Sequence, residues 1–289
     1  MSAAPPDRTD RHLLCFGLGY SARVLAGRLG DSFWRVTGTS RNPNEPDCLR
    51  FDRDRPLAPA AFAGITDILV SIPPDDAGDA VLDRHGEDIA TLPGLVWLGY
   101  LSTTGVYGDR AGGWVDERSE LRPSGMRGRR RVAAEAGWLD LWRRRGVPVH
   151  IFRLAGIYGP GRAPFAALRA GTAQRIDKPG QVFSRIHVDD LAGVLLASIA
   201  RPRPGAIYNV CDDEPAAPDS VIAHAASLLG LPAPPLVPFS TAGLSPMARS
   251  FYDDNKRVSN ALLKEELGVA LRHPNYRAGL AAILAAEGA

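Results

Sequence analysis

Five short apolar runs, separated by stretches of helical periodicity, constrain this chain more than any other feature. They are HLLCFG at 12–17, WRVTG at 34–38, DILVSI at 67–72, LVWLGYL at 95–101 and PVHIFRL at 148–154. Each is bounded by Gly, Pro or Asp. Runs that are apolar throughout, instead of alternating, belong to strands buried on both faces of a parallel sheet. Stretches 20–30, 78–91 and 128–145 read as the covering helices. Strand–helix–strand alternation predicts an α/β fold, a Rossmann-type doubly wound parallel sheet. A third short strand is expected at 48–51 and another at 206–210.

Beyond residue 155 the pattern changes. Gly and Pro become dense (Gly156, Gly159, Pro160, Gly161, Pro164), and helices are expected at 189–200, 218–230, 258–267 and 276–287. The proline-rich LPAPPLVP at 231–238 reads as a linker or surface turn. The expected division is a Rossmann domain over 11–155 plus 186–212. Residues 156–185 and 213–289 then form a small C-terminal substrate lobe.

The sequence has 289 residues and a net charge of +2. That balance does not predict a nucleic-acid partner. No apolar run reaches the ~18 residues of a membrane span. The polar first ten residues read as a loose tail without a secretory signal. Three scattered cysteines (Cys15, Cys48, Cys211) argue against a disulfide framework or a zinc site and fit a reducing cytoplasm. Only three of the 34 basic residues are lysines, and none precedes Lys178. Chemistry that needs a lysine must therefore find it late in the chain.

The first apolar run ends in a turn of small residues, Gly17-Leu18-Gly19-Tyr20-Ser21-Ala22, that opens the first helix. Gly17 permits a tight turn. Gly19 lets the backbone approach a pyrophosphate at the helix N-terminus, where free N–H groups favour anions, and Ala22 lets the helix pack close. About 20 residues on, where an acid would hold the ribose 2′-hydroxyl of NAD, stand Ser40 and Arg41. These suit the 2′-phosphate of NADP, with NAD as the alternative. Asp52, after the third strand, is either an adenine contact or a loop acid. Ser71 and Pro73, after the fourth strand, are either dinucleotide contacts or an ordinary turn.

Three further segments, with the glycine turn, resemble the extended short-chain dehydrogenase/reductase family, also called the NAD-dependent epimerase/dehydratase family. They are LSTTGVYG at 101–108, FRLAGIYGPGR at 152–162 and RIHVDDLA at 185–192. The resemblance runs from residue 12 to about 282. It implies a dinucleotide-binding Rossmann domain with a Ser/Thr–Tyr–Lys catalytic set. In such a set the Tyr is the acid/base, the Lys lowers its pKa and the Ser/Thr holds the reacting oxygen. Thr103 matches the Ser/Thr. Where the Tyr and Lys belong, ahead of Glu135, stand Arg127 and Arg131, and an arginine cannot shuttle protons near neutrality. In the family's glycine turn Phe16 replaces the first glycine and Ala22 the third. These traits resemble members of the family that lack the standard pair.

Tyr107 is either a substitute acid/base or a wall or core residue of the substrate lobe, and Tyr158 poses the same choice. Tyr252 and Lys256 have the family spacing but lie in the second lobe, a coincidence of spacing. Arg127, Arg129, Arg130 and Arg131 oppose the dipole of the helix they begin. They bind an anionic substrate, pair with Asp116, Glu117 and Glu120, or form a nucleic-acid patch, the weakest option without interleaved aromatics. Trp138 and Trp142 form a second apolar stripe on that helix, facing either a homodimer partner or a local loop. His187 reads as helix capping, since no His or Cys lies at metal-ligand spacing from it. Two functions follow as expectations. One is an NADP(H)-dependent oxidoreductase or epimerase-like enzyme acting on a small carbonyl, sugar-like or anionic substrate. The other is a catalytically silent NADP(H)-binding sensor.

Overall fold

The computed structural model describes residues 11–30 and 34–288, so the expected tail lies outside the described residues. The central sheet has seven parallel strands. They are β1 (Arg11–Phe16), β2 (Trp34–Ser40), β3 (Cys48–Arg50), β4 (Asp67–Val70), β5 (Trp97–Thr103), β6 (Val149–Leu154) and β7 (Ile207–Val210). Their order is β7-β6-β5-β4-β1-β2-β3. β1 pairs with β2 on one side and β4 on the other, so the order reverses at β1. Open α/β sheets bind ligands at the carboxyl ends of strands where such a reversal occurs.

The apolar runs form these strands because both sheet faces are covered: every residue of β4 and β6 is buried. Three helices follow in sequence, α1 (Tyr20–Leu29), α2 (Ala80–Ala90) and α3 (Met126–Arg145). Asp79 caps α2, its Oδ1 accepting from the N–H groups of Val81 and Leu82 at 3.0 Å each. Phe16, Ile68, Val70, Tyr100, Trp138 and Ile151 belong to one core.

The chain divides into two compact units. Unit 1 comprises the described residues up to Ser102, Arg130–Phe152 and Leu195–Ile207. Unit 2 comprises Thr103–Arg129, Arg153–Val194 and the described residues from Tyr208. The remaining helices are α4 (Phe165–Arg169), α5 (Val188–Ala200), α6 (Pro218–Leu228), α7 (Pro246–Ser250), α8 (Ala261–Leu267) and α9 (Tyr276–Glu287). Within unit 2, Phe165, Val221, Ala225, Tyr276 and Leu280 form a separate core.

Two expectations need correction. The end of the proline-rich segment, Leu236–Pro238, is a strand paired with Arg175–Asp177. A short edge strand tolerates proline, which a central one does not. The helix expected from 258 begins at Ala261, because Arg257–Val258 pairs with Trp114–Val115. The tryptophan stripe is covered within unit 1. Trp138 is buried, its indole N–H donating to Asp79 Oδ2 at 3.4 Å, and the Trp142 ring lies over Gly205, where a Cβ would come within 2.4 Å. No helix among the described residues is long and apolar enough to cross a membrane.

Candidate dinucleotide site and ligand cavity

In unit 1 the turn after β1 is held from both sides. The Gly17 N–H donates to Thr39 Oγ1 at 2.9 Å, and the Leu18 N–H donates to the Thr39 carbonyl at 2.8 Å. Ser71 Oγ donates to the Gly17 carbonyl at 2.6 Å. Gly17 has φ +90°, and a Cβ there would sit 2.8 Å from Ser71 Oγ. Only glycine meets both demands. Gly38, in β2, is needed for another reason: Leu18 lies directly over it, so a Cβ would come within 2.5 Å of that side chain.

Gly19 differs. It is the N-cap of α1, with φ −90° and ψ −166°, and no side chain caps the helix. Nothing lies within 4 Å of where its Cβ would be. An uncapped helix N-terminus beside open space is what a pyrophosphate requires. The turn therefore fits a dinucleotide. Tyr20 and Ser21 open α1, and Ala22 is buried.

At the end of β2, Ser40 Oγ accepts from the Asn42 N–H at 3.2 Å, forming a tight turn. Arg41 is exposed there and has no ion-pair partner among the described residues. Glu45, an acid near the ribose position in sequence, is taken by Arg23 of α1 at 2.7 Å. Leu18, Gly38, Arg23, Glu45 and Asp47 line a groove of about 280 Å³ beside the turn. Asp52 Oδ1 accepts from the Asp54 N–H at 3.1 Å, as a loop acid does. Ser71 holds the turn, and Pro73 is exposed.

The two arginines expected where the resemblance puts the Tyr and Lys are held by neighbouring groups. Arg131, in unit 1, donates from Nη1 to the Tyr100 hydroxyl at 3.0 Å and to the Leu101 carbonyl. Arg127, in unit 2, donates from Nη2 to Ser250 Oγ at 3.2 Å and lies 5.3 Å from the Phe251 ring. Arg129 donates to the Ser124 carbonyl and to Met126 Sδ, and Arg130 pairs with Asp76. The expected pairing with Asp116, Glu117 and Glu120 is not formed. Asp116 accepts from Ser119, Glu117 accepts from the Asn209 N–H, and Glu120 pairs with Arg122.

Thr103 is half-buried. Its Oγ accepts from the Gly105 N–H at 3.1 Å, which leaves the hydroxyl proton available to donate. Tyr107 is fully buried in unit 2. Its hydroxyl donates to Asn209 Oδ1 at 2.7 Å and accepts from Arg153 Nη1 at 2.9 Å. Burial pushes its pKa up to about 12, the wrong direction for an acid/base near neutrality. Of its two expected roles, the structure gives it that of a buried structural residue.

Unit 2 also holds a cavity of about 1030 Å³. Thr103, Tyr158, Arg185, Phe183, Tyr252 and Lys256 are among its walls. Tyr252 and Lys256 thus share one cavity without forming a dyad, because Lys256 Nζ donates to Asp254 Oδ2 at 2.9 Å. Tyr158 donates to the Asn275 carbonyl at 3.3 Å, and burial raises its pKa.

His187 meets His273 and Asp190 in space, with one ligand atom of each within 4.8 Å of the others. Spacing along the chain could not reveal this, because His273 is remote in sequence. Asp190 and one ring nitrogen of each histidine are engaged within the protein. Asp190 accepts from the backbone N–H groups of Arg272 and His273, and His187 Nδ1 accepts from the Asp189 N–H. The cluster ties the C-terminal segment to α5. Sequence reasoning also missed Thr39 and Gly38. A glycine inside a strand was the available signal for Gly38, since it marks close backbone approach.

No protein-family model matches the chain. A conserved protein of unknown function from Silicibacter pomeroyi DSS has a structure that superposes with TM-score 0.89 at 54% identity, covering 96% of this chain and 99% of that one. Protein YeeZ of Escherichia coli (strain K12) is 26% identical over 291 residues, 90% of this chain and 95% of its own. A human epimerase family protein solved with NADPH superposes with TM-score 0.73 at 18% identity, covering 94% and 98%. Other structural neighbours are NAD-dependent epimerase/dehydratase-family proteins, several solved with NAD. The chain therefore belongs to the same family as the conserved Silicibacter pomeroyi protein and has the Rossmann-like fold of the epimerase/dehydratase structures.

Proposed function

We propose that this protein binds NADP(H) at the glycine turn and is an oxidoreductase or epimerase-like enzyme for a small carbonyl compound. One observation carries the reading. The turn is fixed by Thr39 and Ser71, while at Gly19 an uncapped helix N-terminus faces open space. Arg41 supports NADP(H) over NAD(H), as an unpaired guanidinium at the end of β2 with Ser40 beside it. Bound NADP(H) supplies or accepts a hydride. Thr103 donates its hydroxyl proton to the substrate oxygen and positions it. With Tyr107 buried, the proton of the reaction comes from solvent.

The replacement of the Tyr–Lys pair by Arg127 and Arg131 favours a second reading, a catalytically silent NADP(H) sensor. Incubation with NADPH and a panel of aldehydes and ketones, followed by cofactor absorbance, separates the two. Cofactor oxidation that Thr103→Val abolishes, with NADPH affinity kept, supports the enzyme. Tight NADPH binding with no turnover on any carbonyl supports the sensor.

A further inference from the structure

The cavity of unit 2 has walls that carry information about what it holds. On one side Phe183 and Tyr252 meet edge to face, with centroids 5.2 Å apart, and Phe239 packs on Tyr252 at 5.0 Å. On the others stand Val221, Ile222 and Leu280. A sugar would need hydroxyl and amide partners in numbers. Several of the polar side chains lining this cavity are instead engaged within the protein. Ser184 Oγ accepts from the Val258 N–H, and Ser245 Oγ accepts from the Ala248 N–H, each at 3.2 Å. Ser250 bridges Arg127 and the Met247 carbonyl, and Thr172 donates to the Ala167 carbonyl. Lys256 is neutralised by Asp254.

Arg185 brings a charge to this wall. Its Nη1 donates to the Phe183 and Ala216 carbonyls at 2.9 and 3.1 Å. Its Nε and Nη2 have no hydrogen-bond partner among the described residues, and no carboxylate there lies within ion-pair distance. Burial works against its charge, and the Asp212 carboxyl, the first-named charge near it, is itself disfavoured as an anion by burial. A half-buried cation whose neighbouring carboxyl resists ionisation keeps part of its desolvation cost, and a ligand anion beside it offsets that cost.

We infer that the cavity takes an aromatic carboxylate: a large apolar ring body against Phe183, Tyr252 and Leu280, with its carboxylate on Arg185, and not a nucleotide sugar. This rests on the reading of unit 2 as the substrate-holding part of an NADP(H)-dependent protein. It narrows the substrate from small carbonyl compounds in general to those that carry an acid on an aromatic body.

Isothermal titration calorimetry with three probes tests it: biphenyl-4-carboxylate, the neutral ketone 4-acetylbiphenyl, and UDP-glucose. Each is titrated with and without saturating NADPH, whose own affinity is measured on the same preparation. The expected order is biphenyl-4-carboxylate at least about tenfold tighter than UDP-glucose. Arg185→Gln then weakens the carboxylate about tenfold and the ketone hardly at all. Because Arg185 also braces two carbonyls, Met247→Glu serves as a second variant. Met247 is exposed and lines the cavity, so its replacement leaves the fold intact and weakens both biphenyl probes. UDP-glucose binding as tightly as the carboxylate overturns the inference, as does a carboxylate that fails to bind or that binds Arg185→Gln unchanged. NADPH binding with no biphenyl binding overturns this inference alone. Biphenyl-4-carboxylate binding without any NADPH binding overturns the dinucleotide reading alone.

Discussion

Gly17 and Gly19 are two residues apart, and alanine at each should fail for opposite reasons. At Gly19 the backbone (φ −90°, ψ −166°) is open to any residue, and an added Cβ meets nothing within 4 Å. Alanine there reduces unfolded-chain entropy, worth about 0.4–1 kcal/mol. It is a poorer N-cap than glycine by a similar amount, about 0.5–1 kcal/mol. The two nearly cancel, so Gly19→Ala should unfold in urea within about 0.5 kcal/mol of the parent. Its Cβ fills the space in which a pyrophosphate meets the helix N–H groups. Losing one charge-assisted hydrogen bond there costs about 1.5–3 kcal/mol, roughly ten- to a hundredfold in Kd for NADPH. Gly17→Ala should instead destabilise the fold. The positive φ costs about 1–2 kcal/mol, and displacing Ser71 Oγ loses a hydrogen bond worth about 1 kcal/mol more. Urea denaturation with calorimetric titration of NADPH reads both. A stable Gly19→Ala protein that binds NADPH as tightly as the parent refutes the reasoning.

Three further outcomes are expected. Arg41→Ala should weaken NADPH by about tenfold and leave NADH within about twofold, measured by paired titrations. Tyr107→Phe strips a buried hydroxyl from Asn209 and Arg153. It should cost about 1–3 kcal/mol of stability; unchanged stability with abolished turnover would restore Tyr107 as an acid/base. Asp212 is buried, its Oδ2 unpartnered, and its carboxyl is pushed up to about 7 by burial. A raised folded-state pKa means stability that is present below the ordinary carboxylate range and lost as pH rises through about 7. Asp212→Asn should therefore gain stability over the parent at pH 8 by about 2–4 kcal/mol and gain little at acid pH. Urea melts across pH check the sign.

Much of the fold was legible because the central strands are buried on both faces and so keep continuous apolar runs. The turn at Gly17 and Gly19 was legible for a related reason, since its glycines answer to local backbone geometry. What escaped sequence reasoning depends on long-range contacts. Thr39 holds Gly17 from another strand, Ser102 donates to the buried Glu135, and His273 reaches His187 from the end of the chain. Nor did nearness in sequence predict charge pairing. Arg130 is taken by Asp76, while the nearer acids are held by Ser119, Asn209 and Arg122. Tyr107 is the clearest case of an ambiguous residue. Just past the end of a strand a phenol reads as site or core, and only Asn209 and Arg153 decide it.

The central claim is that an NADP(H) dinucleotide occupies the glycine turn. Titration of the purified protein with NADPH and with NADH, followed by tryptophan fluorescence, tests it most directly. The account predicts saturable quenching by both, with NADPH at least about tenfold tighter, about 1.4 kcal/mol. Binding of neither would contradict it and reduce the turn to an element of the fold.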